Sequence, residues 1–164
     1  MVKEITVDLT ELFKMQNLLD EMIMTKHQLN KRDVTLYKKL ALIDEIAELL
    51  NKTRIHKYWS LKGMEDREEL LEEYVDGWHF VLSIGNDLGV PFLLHVRETK
   101  IDMINIFEEL FNTCTFVYSS IGWQLTATMF YRLGESLGFD WEKDIIPAYY
   151  EKYEENQNRQ ANGY

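Results

Sequence analysis

The chain has 164 residues, 28 of them acidic and 18 basic, for a formal net charge of -10. That length suits one domain around a single core, and that charge argues against a nucleic-acid polymer as the main partner while leaving a free nucleotide open. Cys114 is the only cysteine, which rules out an intramolecular disulfide framework and suits a reducing cytosol. The N-terminal stretch MVKEITVDLTELF lacks the apolar run of a signal peptide, and no segment has the uninterrupted apolar length of a membrane span, so a soluble cytoplasmic protein is expected.

Only Pro91 and Pro147 interrupt the chain, and apolar residues recur at three and four positions, the period of helices. The spacing predicts a first helix from Asp8 to about Gln28, with Asp8 as cap and Glu11 answering it. Gln16, Asp20 and His27 fall inside its apolar stripe, and buried polar groups need partners. A second helix is expected from about Val34 to Lys52, capped by Asp33, with a core face of Leu36, Leu40, Leu42, Ile43, Ile46, Ala47, Leu49 and Leu50. Glu45 and Glu48 lie opposite that face, with Asp44, Lys38 and Lys52.

A connector from Thr53 to Glu65 carries His56-Lys57-Tyr58-Trp59; a tryptophan there can pack as a lid or stack on a base. The next helix, capped by Asp66, runs to about Ile84 and is apolar nearly all round after Val75. Residues 86–97, with Gly89 and Pro91, read as a loop or irregular insertion. Two aromatic-rich helices follow, from Lys100 to about Ser120 and from Trp123 to Leu137, parted near Gly122, and they suit a core or a subunit interface. Gly138 marks a helix stop, and the last helix starts near Asp144, because Pro147 is tolerated only in a first turn. The expected fold is an all-α bundle of about five to six helices.

Glu45 and Glu48 stand three apart on the second helix, and Glu73 and Asp76 repeat that spacing on the third. Residues three apart share a helix face, so two packed helices would bring four carboxylates together. Such a cluster repels itself unless cations sit within it, and Mg²⁺ or Mn²⁺ suits hard oxygen donors. This points to a metal-dependent hydrolase of a phosphate ester or anhydride. The chain shows no internal repeat, low-complexity tract, zinc-type cluster, phosphate-binding glycine loop or nucleophile elbow.

Taken together, Gln16 to Asp20, Glu45-x-x-Glu48, Lys57-Tyr58-Trp59, Glu73-x-x-Asp76 and a C-terminal block resemble the dimeric all-α dUTPases. These belong to the all-α nucleoside triphosphate pyrophosphohydrolases, which include the MazG-like enzymes. The C-terminal block is the most specific part: Leu137-Gly138-Phe139, Tyr149-x-x-Lys152, Asn156, Arg159-Gln160 and Gly163-Tyr164. The resemblance spans nearly the whole chain and implies a single domain over 1–164, with 144–164 as a phosphate-contacting helix and tail. It implies a homodimer that converts dUTP to dUMP and pyrophosphate.

Residue by residue, the resemblance makes Glu45, Glu48, Glu73 and Asp76 the Mg²⁺ ligands, with Glu48 helping to activate the attacking water. It assigns the uracil edge to Gln16 and Asp20, where the family often has Asn in place of Asp20, and the base pocket to Trp59. Tyr149, Lys152, Asn156 and Arg159 would hold the phosphates. Gln157 and Tyr153 depart from the histidine and asparagine common in relatives. Three rivals stand beside this reading: a broader nucleotide pyrophosphohydrolase acting on dCTP or non-standard nucleotides, a ferritin-like di-iron bundle, and a non-catalytic helical interaction module. The di-iron bundle needs Glu-x-x-His twice, and only Asp76-x-x-His79 approaches it.

Overall fold

A computed structural model describes residues 4–163. Within them the all-α expectation holds, with six α-helices: α1 (Thr10–Lys26), α2 (Lys31–Thr53), α3 (Arg67–Leu88), α4 (Met103–Cys114), α5 (Ser120–Ser136) and α6 (Ile146–Ala161). A two-stranded sheet is added to the bundle. β1 (Glu4–Asp8) pairs antiparallel with β2 (Leu93–Arg97), from Glu4 opposite Arg97 to Asp8 opposite Leu93. Part of the expected loop over 86–97 is therefore strand. Val7, Leu94 and Val96 turn inward at the two-residue period of a half-buried ribbon.

α3 is the central helix. Tyr74, Trp78, Val81 and Leu82 are buried on it, against Phe13 from α1, Leu42, Ile46 and Leu49 from α2, and Trp123 and Phe130 from α5. The approach of α3 to α5 requires glycine at two positions. A Cβ on Gly77 would collide with the Phe130 ring, and one on Gly134 with the Tyr74 hydroxyl. Tyr74 stacks on Phe130 with ring centroids 4.8 Å apart, and its hydroxyl donates to the Phe130 carbonyl at 2.9 Å.

The helix ends correct several expectations. Asp8, expected as the cap of the first helix, ends β1 instead, and Leu9 stands at the N-cap without a side-chain bond; the Asp8 carboxylate accepts from Thr10 N at 2.9 Å, and Glu11 pairs with Lys14 at 2.8 Å rather than closing a capping box. α2 starts earlier than its apolar pattern, because Asn30 caps it by accepting from Arg32 N at 3.0 Å; Asp33 instead accepts from the Asn30 amide. α3 runs one turn past Ile84 to a left-handed cap at Gly89, φ 65°. α4 ends at Cys114, and Gly122 lies inside the first turn of α5, where the Ser119 hydroxyl caps Gly122 N. Gly138 stops α5 as expected, at φ 77°. A π-helical turn over Trp141–Ile145, capped by Asp140, leads into α6 with Pro147 in its first turn.

The core face of α2 is narrower than its sequence pattern. Leu42, Ile46 and Leu49 are fully buried, whereas Leu36 and Leu40 are 58% and 53% exposed and Ala47 is exposed too. Lys38, expected in solvent, is only 8% exposed.

Candidate active site

The seam between α2 and α3 holds the acidic cluster. One carboxylate oxygen each from Glu45, Glu73 and Asp76 lies within 4.8 Å of the others. Glu48, one turn along from Glu45, is exposed and sits at the edge of this group against Glu73. Partial desolvation and the neighbouring acids push Glu45 up to about 8 from an ordinary 4.5, with Asp76, Glu48 and Glu73 as the charged contributors. Glu48 is raised as well, by desolvation and then by the charge of Glu73. Asp76 is raised by burial against the opposing pull of Lys152.

Two lysines flank the cluster. Lys52 Nζ lies 2.6 Å from Glu73 and 3.6 Å from Glu69; Lys152 Nζ, from α6, lies 2.9 Å from Asp76, 3.2 Å from Glu72 and 3.7 Å from Glu155. Glu45 receives neither lysine in these pairs. Hard oxygen donors at this separation, one of them driven toward its neutral form by burial and then by its neighbours, fit a divalent cation.

One helical turn along α3 and α6 from this cluster opens a cavity of about 280 Å³, walled by α1, α2, α3 and α6. Gln16, Asp20, His79, Ser83, Asn156 and Arg159 are among its lining. The predicted base-edge residues Gln16 and Asp20 thus share one cavity with Asn156 and Arg159 from the predicted phosphate block. Gln16 Nε2 donates to Asp20 Oδ1 at 2.8 Å, and Ser83 Oγ donates to Asp20 Oδ2 at 2.6 Å. Gln16 Oε1 accepts from His79 Nδ1 at 2.7 Å and from the Tyr149 hydroxyl at 2.8 Å. Because a carboxylate only accepts, the Gln16 amide orientation is set, and His79 must carry its proton on Nδ1.

His79 stacks on Tyr149 at 4.2 Å and 19°. Burial, with a smaller contribution from Lys152, pushes it down to about 3, so it is neutral and its buried Nε2 is a bare acceptor without a partner among the described residues.

Not every predicted residue falls into place. Tyr149, expected on the phosphate side, is fully buried and its hydroxyl donates to Gln16 Oε1. Trp59 is 67% exposed, packs edge-on against Tyr58 at 5.1 Å, and does not line the Gln16 cavity. His27, expected inside the apolar stripe, is exposed and bonds Gln160 Oε1 at 3.0 Å. Arg159 pairs with Glu155. Tyr164 of the C-terminal block lies outside the described residues.

Against this geometry, a family model described as dUTPase matches residues 8–164. The chain belongs to the dUTPase family. It is an enzyme that hydrolyses dUTP, a dUTP diphosphatase. No curated protein matches the chain. Gln157 and Tyr153, which the resemblance marked as departures, are bonded to each other, Gln157 Nε2 donating to the Tyr153 hydroxyl at 2.9 Å.

Four participants, His79, Ser83, Lys38 and Asp87, were not among the residues singled out for the dUTPase site. A signal for three of them exists in α3. His79 and Ser83 are the polar exceptions in the apolar stretch that follows Asp76, and Asp87 stands four residues beyond Ser83 on the same line. Lys38 carries no such signal, because its partner Asp87 is 49 residues away.

Proposed function

We propose that this dUTP diphosphatase holds the triphosphate at the α2–α3 carboxylates and the uracil in the Gln16 cavity, with Mg²⁺ as the working ion and Mn²⁺ as a substitute. The observation that carries this reading is the spacing along two helices. Asp76, His79 and Ser83 on α3, and Lys152, Asn156 and Arg159 on α6, step from the acidic cluster to the cavity one turn at a time. A turn rises about 5.4 Å, a stride that suits a nucleotide with its base at one end and its phosphates at the other.

Glu45, Glu48, Glu73 and Asp76 would hold the divalent cation. When bound, the ion supplies neutralisation of the phosphate charge and a more acidic water. Glu48 takes the proton of the water that attacks the α-phosphorus. Its exposed position leaves it reachable, and its raised proton affinity brings it closer to the working pH of a general base. The Pα–O bond breaks and pyrophosphate leaves, its charge met by Lys152, Arg159 and Asn156. Lys152 moves from Asp76 to phosphate as substrate enters, which frees a carboxylate where the cation needs one.

Gln16 reads the base edge, with Asp20 behind it, and Trp59 closes over the base from the connector. We read 1–164 as one domain with 144–164 as the phosphate-side wall. We further propose a cytoplasmic homodimer. Leu36, Tyr37 and Leu40 on α2 and Phe116, Ile121 and Leu125 around α5 are exposed apolar residues, and Leu36 and Phe116 share one shallow hollow, which supports a partner face there. No helix among the described residues is long and apolar enough to cross a membrane.

The test is pyrophosphate release from each deoxynucleoside triphosphate, with Mg²⁺, with Mn²⁺ and with chelator. Turnover of dUTP well above dCTP and dTTP, lost in chelator, is expected. Equal turnover of other bases would overturn the cavity reading, and full activity in chelator the metal reading.

A further inference from the structure

Lysine is rarely buried unless it is paired. Lys38, in the middle of α2, is buried in the wall of the Gln16 cavity with its Nζ 2.7 Å from Asp87 Oδ2 and 3.9 Å from Asp20 Oδ2. The Tyr118 hydroxyl reaches the same Asp87 oxygen at 3.4 Å. Two carboxylates, one from α1 and one from α3, therefore share a single ammonium. Such an arrangement stabilises a fold poorly, because desolvation offsets most of the attraction, and apolar side chains of the same volume commonly do better. Its place in the wall of the same cavity, beside Asp20, gives it another use.

The bonds form a relay. Asp20 accepts at both oxygens, from Gln16 and from Ser83. Gln16 therefore turns its carbonyl oxygen toward His79 and Tyr149, and His79 keeps its proton on Nδ1. Among the described residues the network leaves one N–H of Gln16 Nε2 unused and His79 Nε2 a buried lone pair without a partner, on two side chains that both line the cavity. That is a donor beside an acceptor. The uracil edge presents an acceptor, O4, beside a donor, N3–H, and complements it. Cytosine presents N4–H₂ beside a bare N3, the reverse pattern. Were Asp20 to carry a proton, it could donate to Gln16 Oε1. The amide would turn over, His79 would shift its proton to Nε2, and the cavity would match cytosine instead.

We propose that Lys38 is a positioning residue for base selection: its charge keeps Asp20 an acceptor at both oxygens, and so fixes the Gln16 amide and the His79 tautomer in the arrangement that takes uracil and refuses cytosine. This rests on the reading that the base binds in the Gln16 cavity. Burial draws Asp20 toward its protonated form, while Ser83, Lys38 and Gln16 oppose it; Asp87 adds to the upward pull, and Tyr118 and Tyr149 face the same carboxylate. Of these groups Lys38 is the one that carries positive charge.

The experiment has two arms. In the first, ¹⁵N chemical shifts of the His79 ring, assigned against a His79→Asn spectrum, are read in the unmodified protein; the Nδ1–H neutral tautomer is expected, and an Nε2–H tautomer overturns the relay. In the second, kcat/KM for dUTP and for dCTP are measured in the unmodified enzyme and in Lys38→Gln, which retains a donor for Asp87 and removes the charge. The expected result is a dUTP:dCTP ratio lower by about tenfold or more, with His79 shifting toward the Nε2–H tautomer. An unchanged ratio, or equal loss on both substrates with the tautomer unmoved, overturns the proposal and leaves Lys38 a structural residue. If the unmodified enzyme does not prefer dUTP to dCTP, the cavity reading itself fails, which is a different result. Should Lys38→Gln not fold, the tautomer in the unmodified protein still decides.

Discussion

The acidic seam of α2 and α3 and the cavity behind it, one helical turn apart, handle polar groups in opposite ways. At the seam, partial burial and then the like charges around it raise the proton affinity of Glu45, and the lysines present reach Glu73 and Asp76 instead. In the cavity, Asp20 and the Gln16 carbonyl are each met by two hydrogen bonds, and among the described residues His79 Nε2 is a buried atom left without one. Unrelieved repulsion marks where a cation belongs. Near-complete satisfaction with one acceptor to spare marks where a ligand is told from its analogues, because a mismatched group there stays unpaired in a buried place.

Removing a carboxylate from the seam should break that contrast most severely. Asp76→Asn is expected to bring turnover of dUTP to background while the circular dichroism of the bundle is retained; substantial activity would remove Asp76 from the site. Glu48→Gln should lower kcat by roughly 10²- to 10⁴-fold, the range for a lost general base, with substrate affinity held. An unchanged kcat would assign proton transfer elsewhere.

In the cavity the effect should fall on discrimination. Gln16→Ala leaves His79 and Tyr149 without their shared acceptor, and kcat/KM for dUTP should drop roughly 5- to 150-fold, the equivalent of about 1–3 kcal/mol, with a smaller loss on dCTP. Parallel losses on both substrates would show that Gln16 supports the fold rather than reads the base.

The seam also predicts a pH dependence. Glu45 in the fold titrates at about 8, above its ordinary 4.5, so the folded state holds a proton that the unfolded chain has released. The resulting stabilisation is complete below about 4.5 and is lost as pH rises through about 8. The metal-free melting temperature should therefore fall across that window, and Glu45→Gln should flatten the fall. Mg²⁺ should raise the melting temperature more at the alkaline end, where Glu45 no longer has a proton to release. A slope that survives Glu45→Gln would place its origin in another group. The smallest effect is expected from Trp59→Ala, a few-fold rise in KM with kcat held, since Trp59 lies on an exposed connector.

Much of this was legible in the chain. The carboxylate spacing, the Gly138 stop and the place of Pro147 in α6 each follow from local rules, and local rules were enough. The polar residues Gln16 and Asp20 within an apolar stripe announced partners before any were visible. What stayed hidden depends on distant pairing. β1 finds β2 about 90 positions along the chain through Thr6 and His95. Lys38 is buried because Asp87 comes to meet it, and the bond from Tyr149 to Gln16 exists because α6 packs against α1. Leu36 and Leu40 continue the apolar period of α2 past the point where the bundle covers it, so periodicity alone could not tell core from surface.

The most direct test of the central claim is a crystal structure with Mg²⁺ and a non-hydrolysable dUTP analogue. The account predicts uracil within hydrogen-bond distance of Gln16 Nε2 and His79 Nε2, phosphates contacted by Lys152, and metal bound by Glu45, Glu73 and Asp76. A base lying outside the Gln16 cavity, or phosphates held away from the α2–α3 carboxylates, would contradict it.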